Sequence, residues 1–245
     1  MWSFLANSWP ALLLTAVCAY LLGSINWAII VTRLRGKRDI RTYGSGNAGA
    51  TNVLRSQGVV PALLTTAGDL AKSIAAALIG GWLLAHINLT GAASTELRTF
   101  APDAARLIGG YFGGLFCVIG HMFPVYYGFR GGKGVMASLG MFLVIDWRIA
   151  VLCLALFLIT VVISRMVSLG SVLAASYLPI LTLVFRRWVD QMSIGAVIFC
   201  TVLSSLIAAI IVWKHGTNMR RIADGTERRL GTDKIEEDTK DAKDE

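Results

Sequence analysis

Long uncharged apolar runs alternate along this chain with polar connectors, and the connectors are of two very different kinds. Seven runs are candidate bilayer spans, at approximately 11–32, 62–86, 105–120, 134–147, 149–164, 171–186 and 192–213. A straight transmembrane helix needs about 20 apolar residues, so several runs are short. The run between Gly134 and Asp146 is the shortest and reads as a short or re-entrant helix. The pattern predicts an all-α integral membrane protein, a bundle of about seven transmembrane helices in one membrane domain over 1–230. After Leu230, seven acidic and three basic residues without apolar periodicity predict a disordered tail over 231–245.

Composition agrees with the pattern. The chain has 245 residues, 55% hydrophobic and 16% charged, with a mean hydropathy of +0.63, which excludes a soluble globular domain. A net charge of +8 would suit a nucleic-acid partner, but the distribution of the basic residues argues for topology and against nucleic acid. Of the 23 Lys and Arg, 18 fall in one alternating set of connectors and the tail, and 5 fall in the other set. The positive-inside rule places the first set in the cytoplasm, with the N-terminus outside and the C-terminus cytoplasmic. Residues 1–32 contain no Lys or Arg, so no export-signal n-region is expected and the first span is retained. Cys18, Cys117, Cys153 and Cys200 lie inside apolar runs without C-x-x-C spacing and read as packing residues, with neither a disulfide framework nor a metal site. No cofactor is expected.

All the unusual connectors fall on the basic side. Gly44–Arg55 (GSGNAGATNVLR) combines glycines with Ser45, Asn47, Thr51, Asn52 and Arg55. Its start matches G-x-G-x-x-G, but that fingerprint requires a βαβ unit and here lies between spans. What remains is a glycine-rich backbone with Gly46 at its turn, able to approach a phosphate closely, with an arginine fork at its end. The alternative is a flexible connector. The second segment runs from Gly120-His121 through Pro124 to Gly131-Gly132-Lys133-Gly134. It resembles a Walker A loop and fails as one, because Lys133 is followed by glycine and Tyr127 stands where the first glycine belongs. It suits either an anion or lipid headgroups. In the third, Ser164–Ser171, Ser168 and Ser171 lie at the start of a span, where a helix dipole favours an anion; a basic anchor with an N-cap is the other reading. In the fourth, Lys214–Arg221 continues the last span into the cytoplasm, so that His215, Asn218 and Arg221 recur every third residue and share one helical face; a basic stop-transfer flank is the other reading. Within the spans, Asp69 and Lys72 are one turn apart and read as a mutual pair facing the bundle interior. Gly109-Gly110 and Gly113-Gly114 read as a close helix-packing surface. Residues 86–104 and 186–191 read as ordinary connectors.

Together these segments resemble the bacterial acyl-phosphate:glycerol-3-phosphate acyltransferase family (the PlsY type). The likeness is carried by Gly23-Ser24-Ile25, Gly44–Arg55, Asp69-Leu70-Ala71-Lys72, Gly120–Gly134, Ser168–Ser171 and His215–Arg221, in order along nearly the whole chain. Asn26 departs from a common proline and Ser73 from a common glycine. The resemblance implies a multi-pass enzyme of the bacterial cytoplasmic (inner) membrane with its site on the cytoplasmic face. It would move a fatty acyl group from acyl phosphate to the 1-hydroxyl of glycerol 3-phosphate, giving lysophosphatidic acid and phosphate for phospholipid synthesis. It implies a site containing Ser45, Arg55, Lys133, Ser171, His215 and Asn218.

On this reading Lys133, His121 and Ser171 serve the chemistry. Substrate binding falls to Ser45, Gly46, Asn47, Thr51, Asn52, Arg55, Gly132, Gly134, Ser168, His215, Asn218 and Arg221. The partners are the two phosphate substrates and membrane lipids. No histidine is followed by aspartate at H-x-x-x-x-D spacing, so the proton acceptor is either His121 or a substrate phosphate. A phosphate or lipid transporter and a lipid-binding scaffold are the competing classes. Polar clustering at one face, away from the bilayer midplane, argues against the transporter.

Overall fold

The computed structural model describes residues 6–36, 39–86 and 102–231. Lys37, Arg38, most of the 86–104 connector and almost all of the expected disordered tail lie outside the described residues. Helices α1 (Trp9–Ser24) and α2 (Trp27–Leu34) form the first span, and α3 (Ala50–Gln57) is short and polar. They are followed by α4 (Val59–His86), α5 (Pro102–Met122), α6 (Val135–Ile145), α7 (Trp147–Ser164), α8 (Val167–Val184), α9 (Ile194–Lys214) and α10 (Gly216–Ala223). Among the described residues six stretches are long and apolar enough to cross a bilayer, α1 and α2 counting as one, and α6 is a shorter apolar helix. At 11 residues α6 is only about 16 Å long, roughly half the hydrocarbon thickness.

The chain is apolar outside as well as inside because lipid, not water, faces the bundle. On α7 only Ile149 and Ala150 are buried, while Val162 and Ile163 are 77% and 79% exposed. Burial therefore cannot hold the helices together, and close backbone approach takes its place. A Cβ on Gly80 would run into the Gly109 carbonyl, and one on Gly109 into the Gly80 carbonyl. The α4–α5 contact is thus the glycine surface expected at 109–114. Helices α1, α4, α5 and α6 pack as one group, α7, α8 and α9 as another, with α5–α9 and α6–α7 contacts joining them.

Three details differ from the sequence expectation. The first span breaks at Ile25–Asn26, where the Asn26 side chain accepts from Ile29 N at 3.1 Å and caps α2. A helix break without proline leaves no marker in a hydropathy pattern. The last span does not continue through His215; it stops at Lys214, and α10 begins at Gly216. The 186–191 connector is far from ordinary. Phe185–Val189 forms a π-helical turn, and its buried Arg186 meets Asp146 at 3.0 Å and also Asp190. Arg148 bridges the same two carboxylates at 2.8 Å each. This network pins the ends of α6, α7 and α8 at the pole opposite the glycine-rich loops.

Tight packing at Gly109 and open space at Gly216 predict a sharp contrast. Gly109→Val should cost about 1–3 kcal/mol through overpacking and lower the thermal midpoint in detergent. Gly216→Ala, with nothing within 4 Å of the added methyl, should leave it unchanged in the same melt.

Candidate active site

Four connectors converge at one pole around a cavity of about 280 Å³. The first loop and α3 contribute Ser45, Asn47, Thr51, Asn52 and Arg55. Lys133 and Gly134 come from the second loop, Ser168 and Ser171 from α8, and His215, Asn218 and Arg221 from the α9–α10 junction. His121 and Asp69 reach the same cavity from α5 and α4. Gly46 and Gly132 are not on its wall and act by shaping the loops that are.

The first loop is folded by its glycines and by one asparagine. Gly44 and Gly46 have φ of +55° and +70°, the left-handed region that glycine enters without penalty. Asn52, 2% exposed, accepts from Ser45 N at 3.0 Å and donates toward the carbonyls of Ile40, Tyr43 and Asn47 at 3.0–3.2 Å. Its amide is engaged with loop backbone, so Asn52 fastens the loop from behind. Ala50 and Thr51, the first residues of α3, line the cavity, and the unpaired N–H groups of a helix start favour an anion. Asn26 Nδ2 donates to the Ala48 carbonyl at 3.4 Å, tying this loop to the break in the first span. Arg41 donates to the carbonyls of Tyr127 and Arg130 at 2.7 and 3.1 Å, bracing the two loops together.

The second loop returns onto the end of α5. Gly131 N and Gly132 N donate to Met122 O at 3.2 Å and His121 O at 3.1 Å, satisfying helix-end carbonyls. A Cβ on Gly132 would strike the His121 ring. Lys133 is thereby aimed across the cavity, where its ammonium donates to Asn218 Oδ1. Burial, aided by the charges of Arg221 and Arg55 and opposed by Glu227, lowers its pKa to about 8.

Glu227 organises the remaining wall and was not singled out in the sequence. Its Oε1 accepts from Ser168 Oγ at 2.6 Å and Asn218 Nδ2 at 2.7 Å, and its Oε2 from Arg221 Nε at 2.9 Å. Burial works against ionisation, but those three hydrogen bonds outweigh it and hold the carboxyl below its usual range. The available signal was two carboxylates, Asp224 and Glu227, inside an arginine-rich stretch, Arg220–Arg229. The segment after α10 folds back, with Leu230 N donating to Arg165 O at 2.8 Å, and this brings Arg228 to the cavity as well. Ser171 lies inside α8, where its hydroxyl donates to Val167 O at 2.9 Å.

His215 Nδ1 lies 2.8 Å from the Ile211 carbonyl. A carbonyl only accepts, so Nδ1 carries the proton and Nε2 holds a lone pair. Burial lowers the pKa of His215 to about 4, so the ring is neutral near pH 7. A second, apolar cavity of about 60 Å³ lies between α6, α7 and α8 and is bounded at its far end by Ile149 and Ala150. Val135, Met136, Phe157 and Ser171 line both cavities, so a cationic chamber and an apolar one share a wall. Among the described residues no cluster of His, Cys, Asp and Glu is arranged to hold a metal ion.

Comparison with known proteins places this architecture. The glycerol-3-phosphate acyltransferase family matches residues 13–225. Glycerol-3-phosphate acyltransferase of Aromatoleum aromaticum is 40% identical over 91% of this chain and 98% of its own length. Its counterpart from Clostridioides difficile is 36% identical over 91% and 97%. The crystal structure of PlsY (YgiH), an integral membrane glycerol 3-phosphate acyltransferase, is similar in its glycerol 3-phosphate form with a TM-score of 0.70. The two are 32% identical, over 90% of this chain and 96% of that one. The lysophosphatidic acid form gives 0.69 at 30% identity, over 91% and 97%. With the match running from within α1 to just past α10, the chain belongs to the glycerol-3-phosphate acyltransferase family of integral membrane proteins.

Proposed function

We propose that this protein transfers a fatty acyl group from acyl phosphate to the 1-hydroxyl of glycerol 3-phosphate, releasing phosphate and lysophosphatidic acid. The reaction takes place at the cytoplasmic face of the bacterial inner membrane, where the basic connectors lie under the positive-inside rule. The observation that carries the reading is the shared wall between the two cavities. Acyl phosphate is a dianion attached to a hydrocarbon chain, and glycerol 3-phosphate is a second dianion with no apolar part. One chamber lined by Lys133, Arg55, Arg221 and Arg228, adjoining an apolar one, fits that pair.

The residues divide the work by their hydrogen-bonding capacity. The α3 N-terminus, Thr51, Arg55 and Ser45 offer donors to the phosphate of the acceptor. Lys133 sits at the seam, where it stabilises negative charge developing on the acyl carbonyl oxygen and on the departing phosphate. His215 Nε2 accepts from the 2-hydroxyl of glycerol 3-phosphate, which orients the molecule and leaves the proton of the 1-hydroxyl free to move. With a pKa of about 4, this nitrogen is a poor proton sink, so the hydroxyl proton passes to the departing phosphate oxygen. The hydroxyl oxygen bonds to the acyl carbon, the carbon–oxygen bond to phosphate breaks, and hydrogen phosphate leaves. Alignment of an already activated donor accounts for much of the expected rate.

The decisive assay supplies purified protein in detergent with acyl phosphate and glycerol 3-phosphate and follows phosphate release and lysophosphatidic acid together. Both should appear in equal amounts. Activity with acyl-CoA alone would move the assignment to another donor class, and no product from any acyl donor would remove it.

Lys133 generates a pH dependence of known sign. Its cation is present below about 8, so kcat/KM for glycerol 3-phosphate should fall as pH rises through that value. In Lys133→Arg the limb should move upward, because a guanidinium stays protonated. Lys133→Met should lower kcat/KM by about 100-fold or more.

The apolar chamber generates a test of chain length. Ala150→Phe fills its far end and should reduce the preference for long over short acyl phosphates by about tenfold, a value in the range for a few methylenes. An unchanged preference would place the chain elsewhere.

A further inference from the structure

Beneath the cavity, Lys72 Nζ lies at the centre of four groups. It is 3.0 Å from Gly23 O, 2.7 Å from Ile25 O, 2.9 Å from Asp69 Oδ1 and 3.0 Å from His121 Nδ1. The side chains of Lys72, Asp69 and His121 are 3%, 2% and 5% exposed. Asp69 Oδ1 stands at ion-pair distance without taking a hydrogen bond, so the nitrogen is a charged ammonium whose three protons serve Gly23 O, Ile25 O and His121 Nδ1. An ammonium has no lone pair. His121 Nδ1, 3.0 Å from it, therefore accepts the third proton and carries none of its own, while Asp69 Oδ1 stands farther off at 3.5 Å.

Charge balance gives the same answer. Asp69 and Lys72 already form a neutral pair, and a protonated His121 would add an uncompensated buried cation. The neutral ring must hold its proton on Nε2. That nitrogen packs against Gly132, in a side chain lining the cavity.

We propose that Lys72 is a positioning residue that fixes His121 in its Nε2–H form, so that His121 donates a hydrogen bond to a phosphate or acyl oxygen bound against the Gly131–Gly134 loop. His121 is then not the base. The two histidines at the cavity have opposite polarity, His121 donating and His215 accepting. The kinetic part of this inference rests on the acyl-transfer reading; the tautomer does not.

The test has two arms. In the first, the full-length protein labelled with 15N at histidine is studied in detergent; with three histidines in the chain, His121→Gln identifies the resonances. His121 should give a protonated Nε2 and an unprotonated Nδ1, and Lys72→Met should mix or reverse them. A protonated Nδ1 or an imidazolium in the wild type would overturn the proposal whether or not the protein transfers acyl groups.

In the second arm, Lys72→Met should lower kcat/KM about 10- to 100-fold, as loss of an orienting partner does. His121→Gln, whose amide reaches the Nε2 position, should retain about tenfold more activity than His121→Asn, whose amide reaches only Nδ1. Equal or reversed activities would refute donation from Nε2. The histidine pair decides the matter even if Lys72→Met fails to fold. A wild type inactive with every donor would sink the acyltransferase reading while leaving the resonance test intact.

Discussion

A single ammonium group inside the bundle sets the geometry of both glycine-rich loops. Breaking the first span at Ile25–Asn26 exposes helix-end carbonyls to an apolar interior, where an unsatisfied polar group is costly. Lys72 satisfies two of them, Gly23 O and Ile25 O, and Asp69 balances its charge at 2.9 Å. Truncating one partner of such a buried pair costs on the order of 3–5 kcal/mol, more than most single contacts in the fold. From the break, Asn26 reaches Ala48 of the first loop. From the same ammonium, His121 reaches the second loop through Gly132. A change at Lys72 is therefore felt at two cavity-forming segments at once.

The cavity poses the opposite electrostatic problem. Lys133, Arg55, Arg221 and Arg228 all line it, and like charges that close repel unless something negative stands among them. Glu227 supplies that charge and accepts from Ser168, Asn218 and Arg221. It also links α8, α10 and the returning segment after α10, so neutralisation and wall-building are one act. Burial opposes charge at both groups, lowering the Lys133 pKa, whereas at Glu227 the hydrogen bonds from Ser168, Asn218 and Arg221 outweigh it and hold the carboxyl low.

Hydropathy made most of the fold legible, because lipid imposes long apolar runs that no tertiary detail can disguise. The candidate cavity was legible too, since its parts lie in connectors rich in residues a plain connector would not need. What escaped reading depends on where backbone and side chains meet across the bundle. The break at Asn26 has no proline, and the stop at His215 occurs within an otherwise helical pattern. Asp69 and Lys72 were visible as a pair, but their third member, His121, lies 49 residues on from Lys72. The search for aspartate at fixed spacing after a histidine could not find a carboxylate brought in from another helix. Glu227 sits beside what reads as a solvated tail, where a single acidic residue carries no signal. The apolar chamber is built from ordinary span residues such as Val135, Met136 and Phe157, and ordinary residues spell no motif.

The short α6 and the exposed α7 make sense together. A helix of full length at 135–145 would carry its neighbours' connectors past the Asp146–Arg186 network, which instead draws the ends of α6, α7 and α8 together at one pole. Between the poles the same three helices line the apolar chamber, and at the other pole they deliver Ser168, Ser171 and Gly134 to the cationic one. Because α7 buries only Ile149 and Ala150, almost nothing but lipid lies on its far side. On the proposed reading one substrate arrives from water and the other from the bilayer, so the reacting atoms must meet at a seam between the two solvents. A thin wall toward lipid, closed by ion pairs at one end and opening on fixed cations at the other, is what that constraint requires of the fold. Phe157 and Ser171, which line both chambers, mark the depth at which the acyl carbon would have to stop.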